Sequence, residues 1–431
     1  MPLDFCGKVK KMEVTIAYGH VKEPVKLPDQ DRISICRSPR SVEAPEDQVA
    51  VIREALAAPA GTPLLRELVR GKKRVGILIS DHTRPTPSSI IIPCLLEELA
   101  AGGVREDGVT VVVACGLHER TTPETLKNLL GEDLFNRVET VVHDPDDEDL
   151  LVEVGKTALG TPVKVNSIVA EGDFNISVGT IEPHLFYGWS GGAKNVLPGV
   201  SARETVYFHH NRFSKFPRGL DYVEGNKNRE DAEEATRLAG VSFICNVVLN
   251  EKRQIIGAFA GDIVRAHREG VQFGRPLVVV NTPEKADILI SALGGSPRDS
   301  DFWQAEGKAL MHAQHLIKDG GIMILAAGCE KGIGGEAWRQ LLLKTPAEIN
   351  DLYLSSNFSV PLMKANDLVN FTKKAKLWLV CPGICRSDLP QMPVKFFPTI
   401  TDALIAAKQT VAGQSAVIVV PDSSRVVITV K

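Results

Sequence analysis

RVGILISDHTRPTPSSIIIPCLLEELAAGG, residues 74–103, is the stretch of this chain that decides its fold. An uninterrupted apolar run leads into a polar loop and then into a helix-like segment rich in Ile, Leu and Ala. Polar or glycine-rich loops also follow four further apolar runs: VTVVVACG (109–116), FNISVGT (174–180), ADILISALGG (286–295) and GIMILAAG (321–328). Continuous apolar strands that alternate with helices are typical of parallel sheets covered on both faces. The sequence therefore predicts an α/β protein with mainly parallel sheets.

The length of the chain, 431 residues, is enough for two domains that each bury a core. A helix-like stretch, GDIVRAHREGVQF (261–273), precedes a fresh apolar run at PLVVV. We therefore predict an N-terminal catalytic and cofactor-binding α/β domain over residues 1–272 and a C-terminal α/β domain over residues 273–431. In such sheets ligands bind on the loops that follow the carboxyl ends of the strands.

Composition narrows the class of protein. The net charge of −3 leaves no basic stripe for a nucleic acid. No apolar run approaches the roughly 20 residues that cross a bilayer, and the N-terminal residues have no apolar signal core. The eight cysteines are scattered, mostly in apolar runs, as buried reduced thiols are. These features predict a cytoplasmic protein without a membrane or nucleic-acid partner.

The loop DHTRPTP places Asp81, Thr83 and Arg84 directly after a predicted strand. A planar guanidinium binds a carboxylate or phosphate through two parallel hydrogen bonds. Thr83 and the free amides at the start of the next helix also suit an anion. The alternative is a capped turn in which Asp81 serves local backbone amides, and the loop alone does not separate the two.

Two histidines, His118 and His184, follow two different predicted strands. A single histidine at such a position is more often structural. Two of them on one sheet edge fit a pair of general bases, which accelerate reactions by about 10²–10⁴-fold. A pair of bases suits an enzyme that handles both mirror images of its substrate.

The segment HLFYGWSGGAKNVLPGVSARETVYFHH (184–210) holds Lys194 among small residues and ends in His209 and His210. An amine that is partly desolvated becomes nucleophilic, although a surface lysine is the default alternative. The spacing departs from a phosphate-binding Walker loop. Either terminal histidine is a candidate metal ligand through a neutral ring nitrogen.

DHTRP, GLH, EPH followed by GGAKNVLPG, the HH pair and DSDFWQAEGKAL together resemble the nickel-pincer lactate racemase family. The resemblance runs from about residue 15 to residue 400, and its five motifs occur in the order of the family. It implies two α/β domains around an interdomain active site.

The resemblance also implies a cofactor, a nickel pincer nucleotide that is covalently tethered to Lys194 and delivered by cofactor-synthesis enzymes. It implies His210 as the nickel ligand, with His209 as the fallback. Sulfur and imidazole donors in a tetragonal arrangement suit Ni(II). The other residues implied in cofactor binding are Thr83, Phe186, Gly191, Gly192 and Trp303.

By the same resemblance, His118 and His184 are the catalytic pair in a reversible dehydrogenation of a 2-hydroxy acid through a 2-oxo acid. Arg84, Asp81, Gln304 and Lys308 are the implied substrate-binding residues. The chain departs from the family at two of these positions. Gly307 stands where a lysine is typical, with Lys308 one residue later, and Trp303 replaces a tyrosine. The implied substrate is lactate or a related 2-hydroxy acid.

Three alternatives stay open at this point. The same cofactor could serve malate, an aromatic 2-hydroxy acid or a sugar acid, with Arg298 available for a second carboxylate. A nicotinamide-dependent 2-hydroxy acid dehydrogenase would need a dinucleotide fingerprint, which the sequence lacks. A non-catalytic carrier of the nickel cofactor would use Lys194 and His210 but would tolerate the loss of both His118 and His184.

Overall fold

The computed structural model describes residues 12–37, 42–211, 216–355, 359–411, 413–424 and 426–430. The chain divides into two compact units. The first unit is Ser41–Arg275, and the second unit joins Met1–Arg40 to Pro276–Lys431. None of the described helices is long and apolar enough to cross a membrane.

The strands are β1 Met12–Tyr18, β2 Val21–Leu27, β3 Arg32–Ile35, β4 Val75–Ser80, β5 Val109–Ala114, β6 Glu139–Val142, β7 Leu151–Lys156, β8 Pro162–Asn166, β9 Phe174–Thr180, β10 Pro183–His184, β11 Gly188–Trp189, β12 Val241–Leu249, β13 Ile255–Asp262, β14 Val279–Thr282, β15 Ala286–Ala292, β16 Ile317–Ala326, β17 Lys376–Val380, β18 Val394–Phe396, β19 Ala416–Val420 and β20 Val427–Val430. The helices are α1 Gln48–Ala57, α2 Leu65–Leu68, α3 Ser88–Ala101, α4 Pro123–Leu130, α5 Glu132–Arg137, α6 Ser167–Ala170, α7 Arg203–His210, α8 Lys227–Leu238, α9 Arg265–Val278, α10 Phe302–Leu316, α11 Glu336–Leu342, α12 Pro346–Ser355, α13 Val360–Lys374 and α14 Ile400–Thr410.

The main sheet of the first unit has the strand order β13-β12-β9-β4-β5-β6. All neighbours are parallel except β12 and β13. Every residue of β4 and of β9 is buried, which explains why both strands are continuous apolar runs rather than alternating ones. The prediction of mainly parallel sheets is confirmed. The carboxyl ends of β4, β5 and β9 lie side by side, and the polar motifs follow them.

The main sheet of the second unit, β18-β17-β16-β15-β19-β3, is parallel throughout. Successive residues of its strands alternate between two apolar clusters. Leu289 and Met323 belong to one cluster, and Ile288 and Ile322 belong to the other. Helices therefore cover both faces of this sheet, as the apolar runs predicted.

The N-terminal segment departs from the predicted domain division. The sequence division assigned residues 1–272 to the first domain, but β3 pairs in parallel with β19 and so completes the sheet of the second unit. The β1–β2 hairpin contributes Val14, Ile16, Val25 and Leu27 to a core cluster of the same unit. A β-rich arm carries no local signal of its distant partner strand, so its place depends on tertiary pairing. The chain leaves the first unit at Arg275, close to the predicted boundary.

Candidate active site

The carboxyl ends of β4 and β5 bring Asp81 and His118 together. Nδ1 of His118 lies 2.6 Å from Oδ2 of Asp81. The other carboxylate oxygen accepts hydrogen bonds from the backbone amide of Thr83 at 3.0 Å and from its hydroxyl at 2.6 Å. The capped-turn interpretation is confirmed, because Asp81 accepts from the amide of Thr83, and the same carboxylate also orients His118.

This pairing sets the chemistry of the His118 ring. Burial raises the pKa of Asp81, but hydrogen bonds from His118 and Thr83 outweigh it, so the pKa lies below its usual value. An ionised Asp81 accepts from Nδ1–H of His118, which leaves the lone pair on Nε2. The His118 side chain is 48% exposed, whereas that of Asp81 is 2% exposed. Nε2 is therefore the ring nitrogen of His118 that the contact with Asp81 leaves for a ligand.

His184 has a different environment. It lies in the short β10–β11 hairpin, and its Nδ1 accepts a hydrogen bond from the amide of Phe186 at 3.2 Å. Burial and then the positive charges of Lys194 and Arg84 lower its pKa well below the usual value. The ring is therefore neutral at pH 7, with the proton on Nε2.

Lys194 lies in a 3₁₀ turn, Gly192–Asn195, beyond the end of β9. Burial and then the charge of Arg84 lower the pKa of its amine well below the usual value. Its Nζ lies 5.8 Å from the centre of the Tyr187 ring. A neutral amine is the nucleophilic form of lysine, so this lowered pKa favours a nucleophilic Lys194 over an ordinary surface lysine.

Buried polar side chains fix the turn that carries Lys194. Asn246 Oδ1 accepts from the amide of Gly192 at 2.6 Å, and Asn195 Nδ2 donates to the carbonyl of Val178 at 2.7 Å. Gly191 and Gly192 have φ of 74° and 60°, and a Cβ on Gly191 would lie 2.7 Å from Asn246 Oδ1. Both positions therefore require glycine for packing and backbone reasons alone.

The two adjacent histidines of α7 have distinct roles in the structure. His209 uses both ring nitrogens, with Nδ1 2.7 Å from Asp231 Oδ2 and Nε2 3.1 Å from the hydroxyl of Tyr187. Burial and then the charge of His209 lower the pKa of His210 well below the usual value. A neutral imidazole is the form that binds a metal. The geometry therefore favours His210 over His209 as the ligand.

Phe186 lies between the candidate base, His184, and the candidate metal ligand, His210. Its ring centre is 5.9 Å from that of His184 and 6.3 Å from that of His210.

Arg84 lines a cavity of about 230 Å³ together with Thr83 and Glu182. Burial raises the pKa of Glu182, and the charges of Arg84 and Lys194 oppose that rise. The cavity is thus an anion-binding candidate next to the catalytic candidates.

The remaining predicted residues belong to the second unit. Trp303, Gln304 and Lys308 lie on α10, and all three are partly buried. Asp301 caps the start of this helix, accepting from the amide of Gln304 at 2.8 Å and from its Nε2 at 3.0 Å. Arg298 forms an ion pair with Asp422 at 3.3 Å.

Sequence analysis missed the residue that organises the segment, Arg229. Its guanidinium donates to the carbonyls of Tyr187 and Trp189 and pairs with Glu233 at 3.3 Å. It is only 1% exposed, although it lies in a helix, α8, whose sequence reads as a charged solvated face. The signal was the NKNRED run at the start of that helix, in which Arg229 is buried because it donates to loop carbonyls, whereas Lys227 and Glu230 are exposed.

Among the described residues, no group of three or more His, Cys, Asp or Glu side chains lies close enough to hold a metal ion. The site of the first unit supplies one candidate ligand, His210, and one nucleophilic amine, Lys194.

The profile of the lactate racemase N-terminal domain matches residues 18–219, and that of the lactate racemase C-terminal domain matches residues 281–428. Together these ranges span most of the chain. The chain belongs to the lactate racemase family. It is therefore an isomerase of the racemase class, and the resemblance predicted from the motifs is confirmed.

Two characterised members of the lactate racemase family are similar to this chain. The lactate racemase of Thermoanaerobacterium thermosaccharolyticum is 32% identical over 97% of this chain and 99% of its own length. That of Lactiplantibacillus plantarum is 38% identical over 73% of each chain.

Solved structures agree with the fold. The lactate racemase apoprotein of T. thermosaccharolyticum covers 97% of this chain and 100% of its own, with a TM-score of 0.85 and 31% identity. A protein from Thermotoga maritima covers 89% of this chain and 98% of its own, with a TM-score of 0.62. At 19% identity, it shares the fold alone.

Proposed function

We propose that this member of the lactate racemase family interconverts the enantiomers of lactate or of a closely related 2-hydroxy acid. The reaction passes through the 2-oxo acid and uses a nickel pincer nucleotide tethered to Lys194. The observation that carries the proposal is that His184, Phe186, Lys194 and His210 lie together: the Phe186 ring centre is 5.9 Å from that of His184 and 6.3 Å from that of His210, and Lys194 Nζ lies 5.8 Å from the Tyr187 ring centre. The names of the two relatives support lactate as the first substrate to test.

The residues present fit the cofactor. Lys194 offers an amine with a lowered pKa for a covalent bond, His210 offers a neutral imidazole for nickel, and Phe186 offers an aromatic surface between His184 and His210. When bound, the cofactor supplies an acceptor and donor of hydride, which is chemistry that protein side chains do not provide. Cofactor-synthesis enzymes are the partners that this proposal requires.

The two histidines move the hydroxyl proton. His118 accepts it at Nε2 from one enantiomer, because its Nδ1–H is held by Asp81. Formation of the other enantiomer requires His184 to be protonated and to donate to the carbonyl oxygen of the 2-oxo acid. The charge of Lys194 opposes that protonation in the free protein. Covalent use of the Lys194 amine removes this charge and makes His184 easier to protonate.

Arg84 is the proposed partner of the substrate carboxylate in the first unit. It lines the cavity that also contains Thr83, and its guanidinium is suited to two parallel hydrogen bonds. The Asp81–Thr83 turn holds the backbone of this loop, since the amide of Arg84 donates to the carbonyl of Asp81 at 3.1 Å. Gln304 is the proposed contact from α10.

The test is to produce the protein together with the cofactor-synthesis enzymes and to measure intact mass, nickel content and lactate racemisation by chiral chromatography. We expect a covalent adduct, about one nickel per chain as one His ligand allows, and equilibration of both enantiomers. Lys194→Ala should lose the adduct and the activity. A nickel-free, unmodified and inactive parent under these conditions would contradict the proposal.

A further inference from the structure

Three buried polar side chains of the first unit form a hydrogen-bonded chain that the proposed reaction does not use. Asp231 of α8, His209 of α7 and Tyr187 in the β10–β11 turn are each 1% exposed. Nδ1 of His209 lies 2.7 Å from Oδ2 of Asp231, and Nε2 of His209 lies 3.1 Å from the hydroxyl of Tyr187. The chain therefore joins two helices to the turn that carries His184 on its first strand.

Asp231 fixes the direction of these hydrogen bonds. Its carboxylate also accepts from the hydroxyls of Thr157 at 2.5 Å and of Thr161 at 2.6 Å. Burial raises the pKa of Asp231, but the hydrogen bonds from His209 and the two threonines outweigh it, so the pKa lies below its usual value. An ionised carboxylate only accepts, so His209 donates from Nδ1. In a neutral imidazole the other nitrogen then accepts, and Tyr187 donates its hydroxyl proton to that bond.

The Tyr187 ring lies among the candidate reacting groups. Its centre is 5.3 Å from that of His184, with the two planes tilted by 46°, and 5.8 Å from Nζ of Lys194. The His209 ring stacks on it at 5.8 Å, with an angle of 11° between the planes. Because buried side chains are close-packed, a shift of the Tyr187 ring would displace the His184 ring as well.

Two directional contacts hold Tyr187 at its two ends. Its carbonyl accepts from Nε of Arg229 at 3.0 Å, which fixes the backbone. Its hydroxyl bonds to His209, which fixes the far end of the ring. The position of the ring against His184 therefore depends on a bond that lies on the side of α7 and α8.

We propose that the chain of Asp231, His209 and Tyr187 positions His184 for proton transfer, with the Tyr187 ring as the contact that transmits the position. The inference rests on the proposed function, in which His184 exchanges the hydroxyl proton of one enantiomer. Tyr187 and His209 are thus positioning residues. The competing explanation is that the chain only stabilises the fold of the first unit.

The test breaks the chain at one bond and keeps the Tyr187 ring. Tyr187→Phe removes the hydroxyl. His209→Asn retains a donor for Asp231 but is too short to reach the hydroxyl. Tyr207→Phe is the matched control, since this tyrosine also belongs to α7 and its hydroxyl accepts from Nη1 of Arg203 at 3.3 Å, outside the chain.

We expect Tyr187→Phe to reduce kcat for lactate racemisation roughly tenfold to a hundredfold in loaded protein, because a small misplacement of a reacting group has an effect of this size. KM should be nearly unchanged, since the Tyr187 hydroxyl is bonded to His209 and not to substrate. His209→Asn should have a similar effect. The double variant should lose no more than either single variant, because both changes break the same bond. Tyr207→Phe should keep the kcat of the parent.

A second readout uses cofactor-free protein and does not depend on turnover. Proton–nitrogen correlation spectra of protein with isotope-labelled histidine report the ring nitrogens of His184, which are assigned by the loss of their signals in His184→Gln. Tyr187→Phe and His209→Asn should each shift these signals, although neither change removes an atom bonded to His184. Tyr207→Phe should leave them in place.

A purely structural role predicts a lower free energy of unfolding with the kcat and the His184 signals of the parent, and this result would overturn the inference. A fall in kcat without a shift of the His184 signals would overturn it too, because the effect would not pass through His184. Shifted signals at the parental kcat would do the same. A loaded parent that racemises no 2-hydroxy acid would instead refute the proposed function, while the spectra would still decide whether the chain holds His184 in place.

Discussion

At the scale of single residues, environment rather than residue type distinguishes the two candidate bases. His118 is half exposed and oriented by Asp81, whereas His184 is enclosed and accepts from a backbone amide. Asp81 occupies Nδ1 of His118, and the Phe186 amide leaves the proton of the neutral His184 ring on Nε2. An enzyme that takes a proton from one enantiomer and gives a proton to the other needs this difference in protonation between the two rings to be reversible.

His118→Gln should reduce the rate of lactate racemisation by about 10²–10⁴-fold, because a general base is lost. Nickel content and the covalent adduct should be unaffected, since His118 holds neither. The measurement is chiral chromatography of initial rates on loaded protein. His20→Gln, at a side chain that is 83% exposed, serves as the control. Full activity in His118→Gln would show that His118 is not the general base.

Lys194→Met should stabilise the cofactor-free protein. In the folded protein the pKa of this amine lies well below its usual 10.5. At a pH between the folded-state pKa and 10.5, the unfolded chain therefore binds a proton that the folded chain does not. Stability from this group therefore rises with pH and is reduced at neutral pH. We expect a gain of about 0.5–2 kcal/mol at pH 7 from urea unfolding. A loss of stability at pH 7 would contradict the burial of an uncharged amine.

At the scale of elements, strand ends carry the candidate reacting groups, and helices hold the segments around them. The carboxyl ends of β4, β5 and β9 carry the candidate acid–base groups and the Lys194 turn. Helix α8 holds the segment through Arg229, and α10 with α13 forms a separate charged cluster around Glu306 and Lys364. Arg229 of α8 and Lys364 of α13 are held away from solvent, and each has a partner on a neighbouring segment of the chain.

The α10–α13 cluster should make stability depend on pH. Burial raises the pKa of Glu306 from its usual 4.5 to about 7, against the opposing charge of Lys364. Between these values the folded state holds a proton that the unfolded chain has lost, so stability falls as pH rises from 4.5 to 7. The effect amounts to about 3 kcal/mol.

Glu306→Gln should remove this component. The measurement is urea unfolding of parent and variant from pH 4.5 to 8, and the difference between the two curves isolates Glu306 from all other titrating groups. The stability of the variant relative to that of the parent should rise as the pH increases from 4.5 to about 7. Parallel curves would show that Glu306 is ionised throughout and that its ion pair with Lys364 is stronger than burial suggests.

At the scale of the whole molecule, the second unit is discontinuous in sequence, because the first unit lies between its N-terminal segment and its remainder. β3 pairs with β19, and the β1–β2 hairpin packs on the same unit, although residues 42–275 separate them from the rest of it. A fragment of residues 42–275 should therefore fold cooperatively by itself. A fragment of residues 276–431 should not, because it exposes the β19 edge and the apolar face that Val14 and Ile16 cover.

Circular dichroism and urea unfolding of the two fragments check this prediction. Addition of a synthetic peptide of residues 12–37 to the C-terminal fragment should restore a cooperative transition. Independent, cooperative folding of residues 276–431 alone would show that the N-terminal segment is dispensable for that unit.

Much of the fold was readable from local patterns. Apolar runs such as VGILIS and FNISVGT are continuous because both faces of each strand are buried, and the loops after them hold Asp81, His118 and Lys194. The first-unit residues of the candidate site were thus predictable, because strand ends of a parallel sheet meet at one edge. Arg229 was not predictable, because its burial depends on carbonyls from a segment distant in the sequence.

By itself the sequence determined the α/β class, the parallel sheets and the family, since these depend on periodicity and on motifs of a few neighbouring residues. Only the tertiary structure decided that the N-terminal arm completes the second sheet, that burial lowers the pKa of Lys194, that His209 is occupied by Asp231 and Tyr187, and that Lys364 fills the space at Gly307. These are consequences of long-range pairing and desolvation. Both depend on which distant atoms surround a group, and no local stretch of sequence encodes that.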